Sequence, residues 1–391
     1  MEKTSELFIS RNTKDNFRCW TEINLFNLKN NIDIIKSFIL SKAELICVLK
    51  DNFYGFCNIN IIKYLSFIGI KYFAVTTLQK ALELRKFDTQ SEIIILNWTS
   101  VSKKDIIIQN NLTQTLFDYK YAKKFNKYPN KVKSLIKIDI GLDLLGFNMN
   151  QIKLIKECYT FKNLKIKGIF ADLSLIQDYE KSGDISINIL LKNFNLILQK
   201  LENEGINLGK KFIINSFGKQ EMKNYIYDKL SGGLLMFGFS TDEYNKLINN
   251  SLLDNNFKPI TSLRCKVMTI KYLKKGEKVG YNSKFIAKEK TKIATISIGY
   301  ADGLNFCCSK NQLNVILRNK LCPLIGNICM DCSIIKIPID LTINAEDVVT
   351  IFGYDNKGNY LNLDEFILKS DSTFEEIIAR LSKRITRLYH L

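Results

Sequence analysis

Histidine is almost absent from this chain of 391 residues: the only one is His390, next to the end. Arginine is missing from a long stretch, with none between Arg85 and Arg264. Neither histidine nor arginine chemistry can therefore come from that part of the chain. No window approaches the roughly 18 consecutive apolar residues of a membrane helix, which excludes a helical span. Met1-Glu2-Lys3-Thr4-Ser5-Glu6 lacks the basic start and apolar run of a signal peptide. The ten cysteines are accordingly expected as reduced thiols in the cytoplasm. Cys329-Met330-Asp331-Cys332 has CxxC spacing but no second CxxC accompanies it, so no metal site is expected.

The net charge of +18 invites a nucleic-acid reading. The cations argue against it. Lys outnumbers Arg about six to one and is spread along the chain, whereas base recognition and bidentate phosphate contacts favour clustered arginine. Lys, Asn and Ile are abundant together, and all three have AT-rich codons. Codon bias explains the charge without a nucleic-acid or membrane partner.

What is present is a pattern of alternating strands and helices over residues 20–250. Candidate strands are 44–50, 72–77, 93–97, 115–117, 132–140, 164–173, 212–215 and 234–237. Helical patterns separate most of them, the longest at 185–204. About eight such units predict an α/β fold, a (β/α)8 TIM-like barrel. From about Ser262 short β-like runs alternate with turns, which predicts a second, mostly β domain. Residues 373–388 read as a helix, with Phe374, Ile377, Ile378 and Leu381 on one stripe and Glu375 and Glu376 in the first turn. The expected division is an N-terminal extension 1–19, a barrel 20–250 and a C-terminal β domain with a terminal helix, 251–391.

Lys50 is the first candidate for chemistry. It follows the apolar run Leu45-Ile46-Cys47-Val48-Leu49, which reads as a buried parallel strand. Barrels keep their chemistry at the carboxyl ends of strands. An amine with low-dielectric walls behind it suits a Schiff-base nucleophile. Many strands also end in a solvated lysine, so the position alone does not decide.

Further motifs follow in order: Ile298-Gly299-Tyr300-Ala301-Asp302-Gly303, Gly326-Asn327-Ile328-Cys329-Met330-Asp331, and Arg384-Ile385-Thr386-Arg387-Leu388-Tyr389. With the Lys50 segment they resemble the alanine racemase family, pyridoxal-phosphate enzymes of the bacterial wall-precursor pathway. The resemblance runs from about Trp20 to Tyr389. It implies that Lys50 carries pyridoxal 5′-phosphate and serves as the base on one face of the substrate Cα. It implies that Tyr300 serves the opposite face from the partner subunit of a head-to-tail homodimer with shared sites. Tyr54 and Tyr389 match the family's phosphate-contacting tyrosines, Asn215-Ser216 its Asn-Ser, and Gly232-Gly233-Leu234 its glycine turn. Ser216, Ser231, Gly233 and Leu234 thus join the expected cofactor site. Tyr281 and Met330 match positions near the substrate entrance and carboxylate.

Three positions depart from the family pattern. Its carboxylate-binding arginine is Leu144, in Asp139-Ile140-Gly141-Leu142-Asp143-Leu144-Leu145-Gly146. The lysine that is often carbamylated to orient that arginine survives as Lys137. The histidine backing the catalytic tyrosine is Asp172, and the arginine on the pyridine nitrogen is Ser231. No shift of register can restore them, because the barrel stretch holds no histidine and no second arginine. The expected activity is racemisation of an amino acid, L- and D-alanine by inheritance. The alternatives are a diverged pyridoxal-phosphate enzyme for another amino acid, and a weak or inactive homologue kept as a binding or scaffold protein.

Overall fold

The computed structural model describes residues 16–38, 43–56, 59–88, 90–141, 144–172, 187–214, 229–231, 233–238, 257–310 and 312–391. Compactness divides the chain into two units. One comprises 28–50 and 62–258; the other comprises 1–27, 51–61 and 259–391.

The first unit is a closed barrel of eight parallel strands. The strands are β2 (Glu44–Val48), β3 (Tyr72–Val75), β4 (Glu92–Ile95), β5 (Leu112–Leu116), β6 (Val132–Ile138), β7 (Leu164–Asp172), β8 (Lys210–Ile214) and β9 (Lys229–Ser231). Pairing of β2 with β9, Glu44 opposite Lys229 and Ile46 opposite Ser231, closes the ring. The interior is apolar: Ile46 and Val48, Ala74, Ile94 and Leu96, Leu135, Phe170, Phe212 and Ile214 form one buried cluster. These residues alternate along their strands, as a period of two requires. Two of the helices between the strands start on side-chain caps, Thr77 accepting from the Lys80 amide and Asp118 from the Tyr121 amide.

Two elements differ from the sequence expectation. Residues 234–237 do not form the last barrel strand. Lys229–Ser231 does, and Gly233–Phe237 is a 3-10 helix with Leu235, Met236 and Phe237 buried. A short apolar run cannot distinguish a buried strand from a buried helical turn. Residues 373–388 are not one helix either. The helix covers only Phe374–Ala379, and Thr386–His390 is a strand. Thr373 caps the helix by accepting from the Glu376 amide, so its start was legible. Its end was not, because the terminal strand gains its partners from the opposite end of the chain.

The second unit is a nine-stranded sheet. Its longest strand, β10 (Thr261–Leu273), carries an irregularity between Val267 and Thr269. The first half of β10 pairs with β1 (Cys19–Asn24) and with Val348–Tyr354; the second half pairs with Thr291–Ile296. The bulge lets one strand serve two directions of the sheet. Thr386–His390 adds to the outer edge of β1 in parallel register, Ile23 opposite Tyr389. The compact units therefore cut the chain differently from the boundaries 1–19, 20–250 and 251–391: β1 and residues 51–61 group with the C-terminal strands.

Candidate active site

The barrel unit carries three of the charged candidates at its mouth. Lys50 lies two residues beyond Val48, Lys137 two beyond Leu135, and Asp172 two beyond Phe170. Val48, Leu135 and Phe170 all belong to the interior cluster. Continuing the alternation turns the three charged side chains to the same inner side, above the cluster and toward the carboxyl ends of the strands. Lys50 is half-buried. Lys137 Nζ lies 3.9 Å from Asp172 Oδ2, and both side chains are largely buried. Burial lowers the Lys137 pKa; the Asp172 carboxylate opposes this, Lys50 adds to it, and Asp139 opposes it more weakly.

The loop after β6 folds back over its own strand end. The Phe147 amide donates to Lys137 O at 2.8 Å, and the Asp139 amide to Phe147 O at 3.0 Å. The Asp139 carboxylate accepts the Gly141 and Leu144 amides, both at 3.0 Å. Gly146 has φ +149°, and a Cβ there would meet the Asp139 nitrogen at 2.5 Å, so this return is a glycine position. Leu144, where the family resemblance leads one to expect an arginine, is 70% exposed.

The second unit holds the tyrosines. Tyr300 begins a 3-10 turn, Tyr300–Asp302. Its amide donates to Cys329 O and the Ala301 amide to Met330 O, both at 3.0 Å. Gly299 lets these backbones approach: a Cβ there would meet Cys329 O at 2.3 Å and Met330 O at 2.4 Å. The Asp302 side chain is fully buried and gathers four donors. Arg18 donates at 2.6 and 3.2 Å, Arg384 at 2.7 Å and the Gly299 amide at 2.9 Å. Arg384 also reaches Asp331 at 2.7 Å. With the turn fixed, Tyr300 stays 45% exposed and Met330 is exposed beside it. Tyr281 joins the same rim, because Asn327 Nδ2 donates to Tyr281 O at 3.1 Å.

The segment that follows Lys50 is held by the end of the chain. Arg387 donates to Gly55 O at 3.1 Å, and Tyr389 Oη donates to Phe56 O at 2.8 Å. Asp51 and Tyr54 have φ of +39° and +50°, unfavourable for side chains of this kind. The two C-terminal donors hold the residues that directly follow, Gly55 and Phe56. The single Tyr389 proton serves the backbone here, so an anion would have to take it over. Tyr54 is buried. Ser231 ends β9, and Gly233 and Leu234 open the following 3-10 helix; Ser216 lies outside the described residues. Sequence reasoning missed the work of Arg18, Asp302, Arg384 and Arg387. Asp302, Arg384 and Arg387 stood inside quoted motifs, whereas Arg18 carried no signal at all.

The donor set fits a cofactor that carries an aldehyde. Two primary amines share the mouth layer, so one can condense while the other remains a cation. Among the described residues no group of three or more His, Cys, Asp or Glu side chains is placed to hold a metal ion.

Comparison with known proteins agrees with this geometry. The N-terminal domain model of alanine racemase matches residues 23–241, and its C-terminal domain model matches residues 260–389. Alanine racemase 2 of Caldanaerobacter subterraneus subsp. tengcongensis is 30% identical over 376 residues, covering 94% of each chain. An amino-acid racemase of Enterococcus faecalis is 31% identical over 386 residues, covering 96% of this chain but 52% of its own; the chain spans about half of that relative. Alanine racemase from Bacillus anthracis with bound L-Ala-P superposes with a TM-score of 0.85 at 25% identity, covering 95% of both chains. The Bartonella henselae alanine racemase with covalently bound pyridoxal phosphate gives 0.83 at 24% identity, covering 95% of this chain and 99% of that one. Matched in both halves and in fold, the chain belongs to the alanine racemase family of pyridoxal-phosphate-dependent isomerases.

Proposed function

We propose that this protein is an amino-acid racemase that interconverts L- and D-alanine with Lys50 and Tyr300 as its two bases. The observation that carries the reading is Lys50, an amine in the mouth layer of a closed parallel barrel. Pyridoxal phosphate, when bound, supplies the electron sink that makes the Cα proton acidic. Lys50 Nζ removes or returns that proton on one face. Tyr300 Oη serves the other face, held out by a turn that the buried Asp302 fixes. Tyr54, Ser216, Ser231, Gly233, Leu234 and Tyr389 cradle the cofactor, and Met330 and Tyr281 border the substrate. Because Lys50 and Tyr300 lie in different compact units, the family's shared-site homodimer is the natural assembly. Alanine as substrate would make this a cytoplasmic source of D-alanine for wall precursors.

A second reading is favoured by one observation. An exposed leucine, Leu144, replaces a guanidinium at the mouth loop, which suits a diverged substrate. One experiment addresses both. The purified protein is loaded with pyridoxal phosphate, reduced with borohydride, mapped, and in parallel assayed against all twenty amino acids. The pyridoxyl group is expected on Lys50 and the fastest turnover on alanine. A label on Lys137, the other mouth amine, would overturn the base assignment. A label on Lys50 with fastest turnover on another amino acid would establish the second reading.

A further inference from the structure

We propose that Lys137, steered by Asp172, is the cation that binds the substrate's carboxylate. The inference rests on the functional reading above and names the group that reading leaves unassigned. With the cofactor held at Lys50, an α-amino acid would exchange its own amine for that of Lys50, and its carboxylate would then lie within a few bonds of the place the lysine held. The carboxylate needs a cation in the same layer. The barrel unit has one arginine, Arg85, and it is committed elsewhere: its donors reach the carbonyls of Asn110, Asp88, Ser91 and Asn111 at 2.9–3.1 Å. In the second unit, Arg18 and Arg384 are held on Asp302, and Arg387 on four backbone carbonyls. Lys137 has the right place: it lies two residues above the interior Leu135, at the mouth end of its strand, and its Nζ is 3.9 Å from Asp172 Oδ2.

Asp172 gives the lysine its form. At 3.9 Å it stabilises an ammonium but lies beyond hydrogen-bond distance, so the amine can turn toward a second anion. A carbamate on Lys137 would instead bring negative charge against Asp172 in a largely buried place, which is unfavourable. Lys137 is therefore an unmodified ammonium, with Asp172 as its positioning residue.

The test uses the full-length protein loaded with pyridoxal phosphate. In Lys137→Met, cofactor content stays at the wild-type level while KM for the amino acid rises about 10- to 100-fold, as for loss of a hydrogen bond to a charged group. Ethylamine, which has the amino group without the carboxylate, perturbs the visible spectrum equally in both proteins. Lys137→Arg recovers most of the amino-acid affinity, and Asp172→Asn loses part of it. Protein equilibrated with 13C-bicarbonate, with or without cofactor, shows no carbamate resonance. Equal losses for ethylamine and amino acid, or a carbamate on Lys137, would overturn the proposal; should Lys137→Met fail to fold, Lys137→Gln carries the same comparison. If the wild type does not take cofactor on Lys50, the functional reading fails and this inference with it. If it does, and Lys137→Met keeps its discrimination between amino acid and amine, this inference alone fails.

Discussion

Tyr300 and Lys50 are placed by opposite means. Tyr300 hangs from a turn in which a fully buried carboxylate collects two guanidiniums and a backbone amide, and two further amides bond the facing chain. Lys50 simply follows a barrel strand, and near the strand ends Lys137 and Asp172 form an ion pair of 3.9 Å. The difference follows from the backbone. A closed parallel barrel already fixes where strand ends point. A two-stranded approach with a tight turn fixes nothing until polar groups lock it. The tyrosine side therefore needs more residues, and they are the ones an amino-acid substitution damages most.

The largest expected effect breaks that lock. Asp302→Ala leaves Arg18 and Arg384 without their shared partner and Gly299 without its acceptor. Asp302 is fully buried, whereas Arg18 and Arg384 are 44% and 39% exposed and can return to water, so the loss is that of hydrogen bonds to charged groups, about 2–3 kcal/mol. Urea unfolding followed by circular dichroism should show a loss of that order, with racemisation nearly abolished and pyridoxal phosphate still reducible onto Lys50. Unchanged stability would show that the turn is held by its backbone alone.

Gly299→Ala tests the same turn without touching charge. Its φ of −141° suits any residue, so only space is at issue. A methyl group within 2.4 Å of two carbonyl oxygens must push the chains apart, and overpacking of this kind costs about 1–3 kcal/mol. The turnover number should fall by more than the stability suggests, because Tyr300 moves with the turn. Wild-type kcat in a destabilised variant would separate the turn's geometry from catalysis.

How much of this was legible in the sequence depended on range. Barrel strands showed as short apolar runs because both faces of a parallel sheet are covered. Lys50 was legible because its strand and turn are contiguous. Tyr300 was legible through a motif, but the reason for the motif was not: Asp302 is explained by Arg18, 284 residues away. Residues 234–237 were misassigned because burial, not periodicity, made them apolar. The terminal strand was hidden because its partner is β1, at the other end of the chain. Leu144, Asp172 and Ser231 were visible as departures, whereas the pairing of Asp172 with Lys137 was not, since strand register decides it.

A smaller effect is expected where the chain's end holds the segment after Lys50. Tyr389→Phe removes one donor and leaves Phe56 O unbonded by it. A single neutral hydrogen bond contributes about 1 kcal/mol net. The loss should appear equally in the apoprotein and the loaded protein if the hydroxyl serves only the backbone. A larger loss in the loaded protein would show that the cofactor recruits this proton.

The smallest effect concerns pH and falls on the loosely held side. Burial lowers the Lys137 pKa from the ordinary lysine value of 10.5, so its charge is lost at a lower pH than that of a surface lysine. As pH rises through the lowered value, the cation that binds the carboxylate disappears and KM for the amino acid should rise. Stability should move the other way. In that window the unfolded chain binds more protons at this position than the folded one, and stability then increases with pH. Asp172 is the chief group opposing the shift, with Asp139 behind it, while Lys50 adds to it. Asp172→Asn should therefore move the rise in KM to still lower pH, and Lys137→Met should remove this pH dependence. A rise in KM that ignores Asp172→Asn would show that Lys137 is not the cation being lost, and the contrast between a locked tyrosine and a lysine tuned by its neighbours would then have to be drawn at a different residue.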